Sequence, residues 1–314
     1  MSEQPTSIEA PKRRGPVVAA AVVAAIVVIA AVVFFLTRGG DDSNAAGGER
    51  EKVSIGVVGA SDPYWDVFVD AAAKDGIDVE LRDFTDYTQP NPAVTAGELD
   101  LNQFQHLVYL ADYNLSNDAD LRPIGSTAVY PLGLYSTKHD SVEDIPDGGT
   151  VVVPDDVSNQ ARALGILAKN GLIELDGDPT IFSDVSDVDT AASRVKVKTL
   201  AADVTATSLE DVDAAVINND FVEKAGLKFS DALATDDAAD PTAEPYVNVF
   251  AARADDVDNP TYLRLVKIFQ DTKAVTDGLQ EVSGGTAQLV KVPESQLESI
   301  YEKTEAETKA NKQS

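Results

Sequence analysis

The chain of 314 residues contains no cysteine, and it has only one methionine, one tryptophan and two histidines. Without cysteine it can form no disulfide, so its folded part must rest on a core of its own, and thiol chemistry is excluded. Zinc sites draw several ligands chiefly from histidine and cysteine, so we expect no zinc site here. We expect no other metal ion and no cofactor.

Basic residues are also scarce, since 25 lysines and arginines stand against 53 aspartates and glutamates, for a formal net charge of −28. A surface this acidic repels the phosphate backbone of nucleic acids, which excludes them as partners. It also repels an anionic membrane surface. We interpret the acidity as a contribution to solubility rather than as the sign of a specific cationic partner.

Long apolar runs are confined to one segment, Val17–Leu36, which has 20 residues without a polar side chain. This length suffices for a transmembrane helix. The basic cluster Lys12–Arg14 precedes the run and Arg38 alone follows it, so we predict a cytoplasmic tail over residues 1–16 and an extracellular remainder. A cleavable signal peptide is the alternative, but its apolar core would be shorter. We favour an uncleaved, single-pass signal anchor over that reading and over a buried core helix.

The rest of the chain shows the pattern of an α/β domain. Residues 37–51 are small and polar, as in a flexible linker, and residues 52–314 are enough for a sizeable core. In that part, β-branched runs such as Lys52–Val58 and Gly149–Val153 alternate with segments of helical length such as Asn159–Asn170. This alternation predicts an α/β fold with largely parallel sheets.

The segment Leu81–Tyr109, LRDFTDYTQPNPAVTAGELDLNQFQHLVY, concentrates aromatic residues, amides and a histidine. Asn91 can cap a short helix that Pro92 opens, and Gly97 can end that helix in a left-handed conformation. The residues that follow alternate as in a short strand and end in Asn-Gln-Phe-Gln-His. Such a strand would bring amides, an aromatic ring and an imidazole to one edge of a sheet, where a small polar ligand can bind.

A second motif, VPDDVSNQARAL, covers Val153–Leu164. A helix that begins near Asn159 would place Arg162 in its first turn, where the helix dipole disfavours a cation. An anion that shares this position would explain the arginine, because a carboxylate can bind both the guanidinium and free backbone N–H groups. The alternative is a surface ion pair between Arg162 and Asp155 or Asp156.

Three further segments complete the pattern: GSTAVYPLGLYS at Gly125–Ser136, AVINNDFV at Ala215–Val222 and EPYVNVF at Glu244–Phe250. Together with the first two motifs, they resemble the NlpA family of methionine-binding proteins, the substrate-binding components of methionine-uptake ABC transporters. The resemblance covers about Lys52–Gly285, which is nearly the whole predicted extracellular domain.

The resemblance implies an α/β, two-lobed fold of the periplasmic-binding-protein type (type II), with the ligand cleft between the lobes and the transmembrane helix before it. Lobe one would cover about residues 52–135 and 245–302, and lobe two about residues 136–244. The Ala/Asp-rich stretch Ser230–Glu244 is predicted to be an exposed loop. Members of the family are usually tethered by a lipid on an N-terminal cysteine. This chain has none, so we expect the membrane helix to tether it instead.

The resemblance also implies a ligand-binding set. Its members are Tyr87, Phe104, His106, Tyr109, Tyr130, Asn159, Arg162, Asn218 and Asn248. Arg162 would bind the ligand carboxylate, and Asn218 and Asn248 would accept hydrogen bonds from its ammonium. Phe104, His106 and Tyr109 would form the pocket for the ligand's side chain, because aromatic edges pack well against a thioether. A structural role for His106, and turn or cap roles for the asparagines, are the alternatives.

We therefore predict a binding protein and not an enzyme. It would capture L-methionine or a related amino acid outside the cell and deliver it to the membrane subunits of an ABC transporter. One alternative is a different amino acid or a short methionine-containing peptide. Another is a surface enzyme on the same scaffold, but the chain has no Gly-x-Ser-x-Gly elbow. It also lacks the cysteine that the porphyrin-pathway deaminase of that scaffold needs.

Overall fold

Two five-stranded β-sheets and one two-stranded sheet organise residues 50–313, the part of the chain that the computed structural model describes. The strands are β1 (Glu51–Val57), β2 (Ile77–Asp83), β3 (Leu101–His106), β4 (Leu121–Ser126), β5 (Ala128–Val129), β6 (Gly133–Tyr135), β7 (Thr150–Pro154), β8 (Lys196–Leu200), β9 (Ala214–Ile217), β10 (Ala234–Thr235), β11 (Asn248–Arg253) and β12 (Gln288–Leu289). The α-helices are α1 (Pro63–Lys74), α2 (Pro90–Thr95), α3 (Leu107–Asn117), α4 (Val157–Lys169), α5 (Ala202–Thr205), α6 (Asn219–Val222), α7 (Pro260–Asp271), α8 (Lys273–Val282) and α9 (Glu294–Gln313).

The first sheet has the strand order β2-β1-β3-β11-β4. Strand β1 runs parallel to β2 and β3, and α1 provides the crossover between β1 and β2 that parallel neighbours require. An aromatic cluster fixes α1 and α7 to this sheet. The ring of Phe68 lies 6.2 Å from that of Phe250 and 5.7 Å from that of Phe269. All three rings are buried, so they form the centre of this lobe's core.

The second sheet has the order β10-β6-β9-β7-β8, with β7 parallel to both β8 and β9. Helix α4 follows β7 directly and buries an apolar stripe that includes Ala163, Leu164 and Leu167. These side chains pack in one core cluster with Val151 and Val153 of β7. The β-branched run predicted as a strand therefore forms the centre of the second sheet.

The chain builds most of the first sheet, crosses to the second, and then returns. Strand β11 comes after all of the second sheet's strands, yet it inserts between β3 and β4 and runs antiparallel to both. This order gives two α/β units connected by crossing segments, in agreement with the predicted two-lobed architecture. The residue boundaries predicted for the lobes stay a prediction.

The predicted fold class must be corrected with respect to its membrane helix. Among residues 50–313 no helix is both long and apolar enough to cross a membrane. Helix α9 has 20 residues, but charged side chains occur along its whole length. The predicted tail, anchor and most of the linker, residues 1–49, lie outside the described residues. For the described residues, the fold class is therefore the two-lobed α/β fold, with no helix that could span a membrane.

The short helix that was predicted to open at Pro92 begins earlier than expected. Helix α2 starts at Pro90, and Asn91 lies inside it rather than at its cap. The Asn91 side chain is buried and bonds with other amides, donating to Gln105 Oε1 at 2.7 Å and accepting from Asn102 Nδ2 at 2.8 Å. The predicted left-handed end of the helix is confirmed, since Gly97 has φ of +73°.

Candidate functional site

A cavity with about 330 Å³ of empty space, open solvent included, is lined by residues of the first sheet, by residues that follow strands of the second sheet, and by the segment that crosses between the sheets. The lining residues are Tyr87, Phe104, Gln105, His106, Tyr109, Tyr130, Asn159, Arg162, Asn218, Asn219 and Asn248. The structure thus brings all nine predicted site residues to one cavity and adds Gln105 and Asn219. Their roles toward a ligand stay predictions.

The ends of several strands meet at this cavity. Strand β3 ends at His106, and β9 ends immediately before Asn218. Because β11 is antiparallel to β3, its first residue, Asn248, pairs with His106 at the same edge. Helix α4, which carries Arg162, begins just after the end of β7. Carboxyl ends of parallel strands are where open α/β sheets bind ligands.

A β-bulge in β3 modifies this edge. Val249 pairs with Gln105 and Phe250 pairs with Gln103, so Phe104 between them has no partner across the ladder. An extra residue of this kind interrupts the alternation of side chains and changes their direction. As a result, consecutive residues of β3, from Phe104 to His106, all line the cavity. A pattern of strict alternation could not reveal Gln105 as a lining residue.

Arg162 is the only charged side chain among the residues that line the cavity. Its Nε and Nη2 donate to Asp236 Oδ2 at 2.9 and 2.7 Å, and Nη2 also donates to the backbone oxygen of Tyr130 at 2.8 Å. The guanidinium lies over the ring of Tyr246, 4.6 Å from its centre. Its Nη1 makes no hydrogen bond to any residue in the range 50–313 and keeps its donors available.

The structure corrects the expected position of Arg162 in its helix and also the alternative that was considered for its ion pair. Helix α4 begins at Val157, with Asp156 as the N-cap that accepts from Asn159 N at 2.9 Å. Arg162 is therefore the sixth helical residue and lies beyond the first turn, so the helix dipole does not explain it. Its ion pair is with Asp236, and not with Asp155 or Asp156.

His106 is a neutral residue whose two ring nitrogens both have partners. Burial, reinforced by the positive charge of Arg162, lowers its pKa from 6.5 to about 3. Because Nδ1 accepts from Tyr109 N at 3.2 Å, the proton is on Nε2, which lies 3.4 Å from Asn159 Oδ1. Asn159 in turn donates to Asp156. His106 thus presents its ring to the cavity rather than a free nitrogen.

Three aromatic rings form one wall of the cavity. The ring centres of Tyr87, Phe104 and Tyr109 lie 5.7 to 6.2 Å apart, with tilted or edge-on geometry. The hydroxyl of Tyr109 donates to the backbone oxygen of Tyr87 at 3.0 Å, and the hydroxyl of Tyr87 donates to Asp220 Oδ2 at 2.8 Å. These bonds hold the rings in place and leave an apolar, polarizable surface.

Asn218 contributes an unsatisfied acceptor. Its Oδ1 is buried and has no hydrogen-bond partner among the described residues. Asn218 occupies the N-cap position of α6, yet its side chain caps no backbone N–H. Leaving a buried carbonyl unpaired costs about 1–3 kcal/mol, and such atoms are rare in native proteins. An unpaired acceptor at a cavity wall indicates a site for a hydrogen-bond donor.

Sequence reasoning missed three residues that support the site from behind. Asp220 accepts from Tyr87 and from Asn219 Nδ2, and burial raises the pKa of its carboxyl to about 6. Asp236 and Tyr246 hold Arg162. Tyr246 belongs to the EPYVNVF motif and could have been proposed from it. Asp236 lies in the stretch predicted to be an exposed loop, and part of that stretch instead forms β10, paired with β6.

The described residues show no cluster of three or more histidine, cysteine, aspartate or glutamate side chains that could hold a metal ion. Neutral amides, tyrosines and one arginine dominate the cavity. Such groups bind and orient a polar molecule.

Comparison with known proteins identifies the family of this chain. The profile of the NlpA lipoprotein family matches residues 53–290. A relative named probable D-methionine-binding lipoprotein MetQ, from Pasteurella multocida, is 37% identical over 237 residues, which are 74% of this chain and 84% of the relative.

Solved structures of related proteins have the same fold. The substrate-binding protein of a methionine transporter from Streptococcus pneumoniae superposes with a TM-score of 0.71 at 36% identity, over 76% of this chain and 95% of that protein. A nutrient-binding protein from Burkholderia cenocepacia, solved with methionine bound, gives a TM-score of 0.70 at 34% identity, over 76% of this chain and 99% of that protein. From the extent of the profile match and these identities, the chain belongs to the NlpA lipoprotein family.

Proposed function

We propose that this chain captures methionine in the cavity and delivers it to the membrane subunits of an ABC importer. The observation that carries the proposal is the buried Oδ1 of Asn218, which has no partner within residues 50–313 and belongs to a cavity that also contains Arg162. A free α-amino acid offers a donor and an acceptor separated by one carbon atom. Its ammonium would donate to Asn218, and its carboxylate would accept from the Nη1 donors of Arg162.

The aromatic wall favours methionine as the side chain. An unbranched thioether can bend into an irregular space, and each sulfur–aromatic contact contributes about 0.3–1.5 kcal/mol. Tyr87, Phe104 and Tyr109 offer three such rings, already fixed by hydrogen bonds and mutual packing. The relatives support the same ligand, since one is named for D-methionine and another was solved with methionine bound.

The cavity would act as a binding site and not as an active site. Relatives are named as lipoproteins and as a component of a methionine transporter, which supports a role in uptake at the outer side of the cell membrane. The lobes would close over the ligand, and the closed form would dock on the transporter. Burial of the charged ends of the ligand would then set specificity, because each polar group left unpaired costs about 1–3 kcal/mol.

Removal of Arg162 tests the carboxylate assignment. We expect Arg162→Ala to weaken L-methionine binding by at least about a hundredfold in calorimetric titration, since a buried charge-assisted pair would be lost. Arg194→Ala is the matched control, because Arg194 pairs with the exposed Asp147 on the surface. Equal affinities of the two variants would refute the assignment.

A further inference from the structure

The buried guanidinium of Arg162 already has a counter-charge within the protein itself. Its side chain is only 6% exposed, and Asp236 Oδ2 accepts from two of its nitrogens. The Arg162–Asp236 pair is therefore neutral as a unit. The remaining residues that line the cavity carry no charge, because His106 is neutral at physiological pH.

Asp236 is held firmly in this position from its other side. Its Oδ1 accepts from the backbone N of Leu132 at 2.7 Å, and its own backbone N donates to the oxygen of Leu132 at 3.2 Å. Leu132 belongs to the segment that crosses between the sheets and that also supplies the Tyr130 oxygen bound by Arg162. One carboxylate therefore connects the crossing segment to the arginine.

This neutral pair changes what the cavity can accept. If Arg162 stood alone, any carboxylate would neutralise it, with or without an amine. Because Asp236 already does so, a simple carboxylic acid would add an uncompensated negative charge to a desolvated site, and such charges are strongly disfavoured. A zwitterion brings its own ammonium and adds no net charge.

We propose that Asp236 is a positioning residue that sets specificity: by neutralising Arg162, it makes the site select zwitterionic amino acids over carboxylic acids that lack an amine. The inference rests on the proposed amino-acid site and extends it to the class of ligand excluded. Asp236 acts through its ion pair with Arg162 and through its electrostatic effect at the position of the ligand's ammonium group. Asp220, behind Tyr87, adds a second negative charge above its pKa of about 6 and acts in the same direction.

The test compares two ligands on the full chain. L-Methionine and 4-(methylthio)butanoate, the same molecule without its amino group, are titrated into wild type and Asp236→Asn, and the ratio of their dissociation constants is taken. Wild type should prefer methionine strongly, and in Asp236→Asn that preference should fall by about tenfold or more, as expected for removal of one nearby charge. Asp236→Ser removes the same charge and serves if the first variant does not fold.

Two controls separate charge from structure. Asp237→Asn changes the net charge equally, but among the described residues the side chain of Asp237 bonds only the backbone N of Ala239, so the preference ratio of this variant should match that of wild type. Asp236→Glu keeps the charge and should keep the ratio even if both affinities fall. An unchanged ratio in Asp236→Asn, with both affinities reduced together, would show a merely structural residue and overturn the inference while the proposed function stands. A wild-type chain that binds neither ligand would refute both.

Discussion

Replacement of Asn218 by leucine should raise stability and lower affinity at the same time. Leucine has nearly the same shape as asparagine, but it has no acceptor to leave unpaired. The buried Oδ1 has no partner among the described residues, so no protein group compensates its desolvation. Removal of such a group should stabilise the free protein by about 1 kcal/mol, which corresponds to about 2–4 °C in Tm.

The same substitution removes the acceptor proposed for the ligand ammonium. The ammonium would then be buried without that partner, at a cost of about 1–3 kcal/mol, or roughly 5- to 150-fold in Kd. Urea denaturation of the ligand-free chain and calorimetric titration with L-methionine measure the two effects separately. Opposite signs for stability and affinity are the signature of a group retained for binding.

Asn91→Leu provides the matched comparison for ligand-free stability. Asn91 is also buried, but its side chain donates to Gln105 and accepts from Asn102 and Gln105. Its removal leaves those amides unpaired and should cost about 2 kcal/mol or more. If Asn218→Leu destabilised the protein as Asn91→Leu does and left methionine affinity unchanged, the reasoning about the unpaired acceptor would be refuted.

Three further predictions concern titration and the aromatic wall. The raised pKa of Asp220 means that the folded state prefers its protonated form, so Asp220 reduces stability as pH rises from 3.8 to about 6. In denaturation series, the free energy of unfolding of Asp220→Asn should rise relative to that of wild type as pH increases through that window. A difference between the two free energies that does not change with pH would contradict this. Because the pKa of His106 is lowered to about 3, nitrogen NMR at pH 5 should show a neutral ring with its proton on Nε2. The same shift means that His106 lowers the stability of the fold as pH falls from 6.5 towards about 3. A ring that is doubly protonated at pH 5 would contradict both expectations. Phe104→Leu should weaken L-methionine binding more than norleucine binding in titrations, because a sulfur–aromatic contact is lost; equal losses would argue against it.

Local sequence signals predicted much of the fold. The β-branched run at Gly149–Val153 became β7, and Gly97 ended its helix with a positive φ. Both features depend on side-chain type and spacing within a few residues, so they can be read from one segment at a time. The start of α4 was predicted two residues too late because Asp156, rather than a later residue, provides the cap.

The features that sequence reasoning missed depend on contacts between distant segments. Asp236 pairs with Arg162 across 74 positions of the chain, and no local pattern distinguishes it from its acidic neighbours. The bulge at Phe104 arises from the register between β3 and the late strand β11. The nine site residues were assembled through the family resemblance, since composition and spacing alone could not have joined Tyr87 to Asn248.

The central claim is that the cavity binds methionine, and calorimetric titration of the full chain with L-methionine tests it most directly. The protein should first be unfolded and refolded so that no carried-over ligand occupies the site. The account predicts tight binding with one methionine per chain. Absence of binding to L- and D-methionine, in a refolded protein with a cooperative unfolding transition, would contradict it.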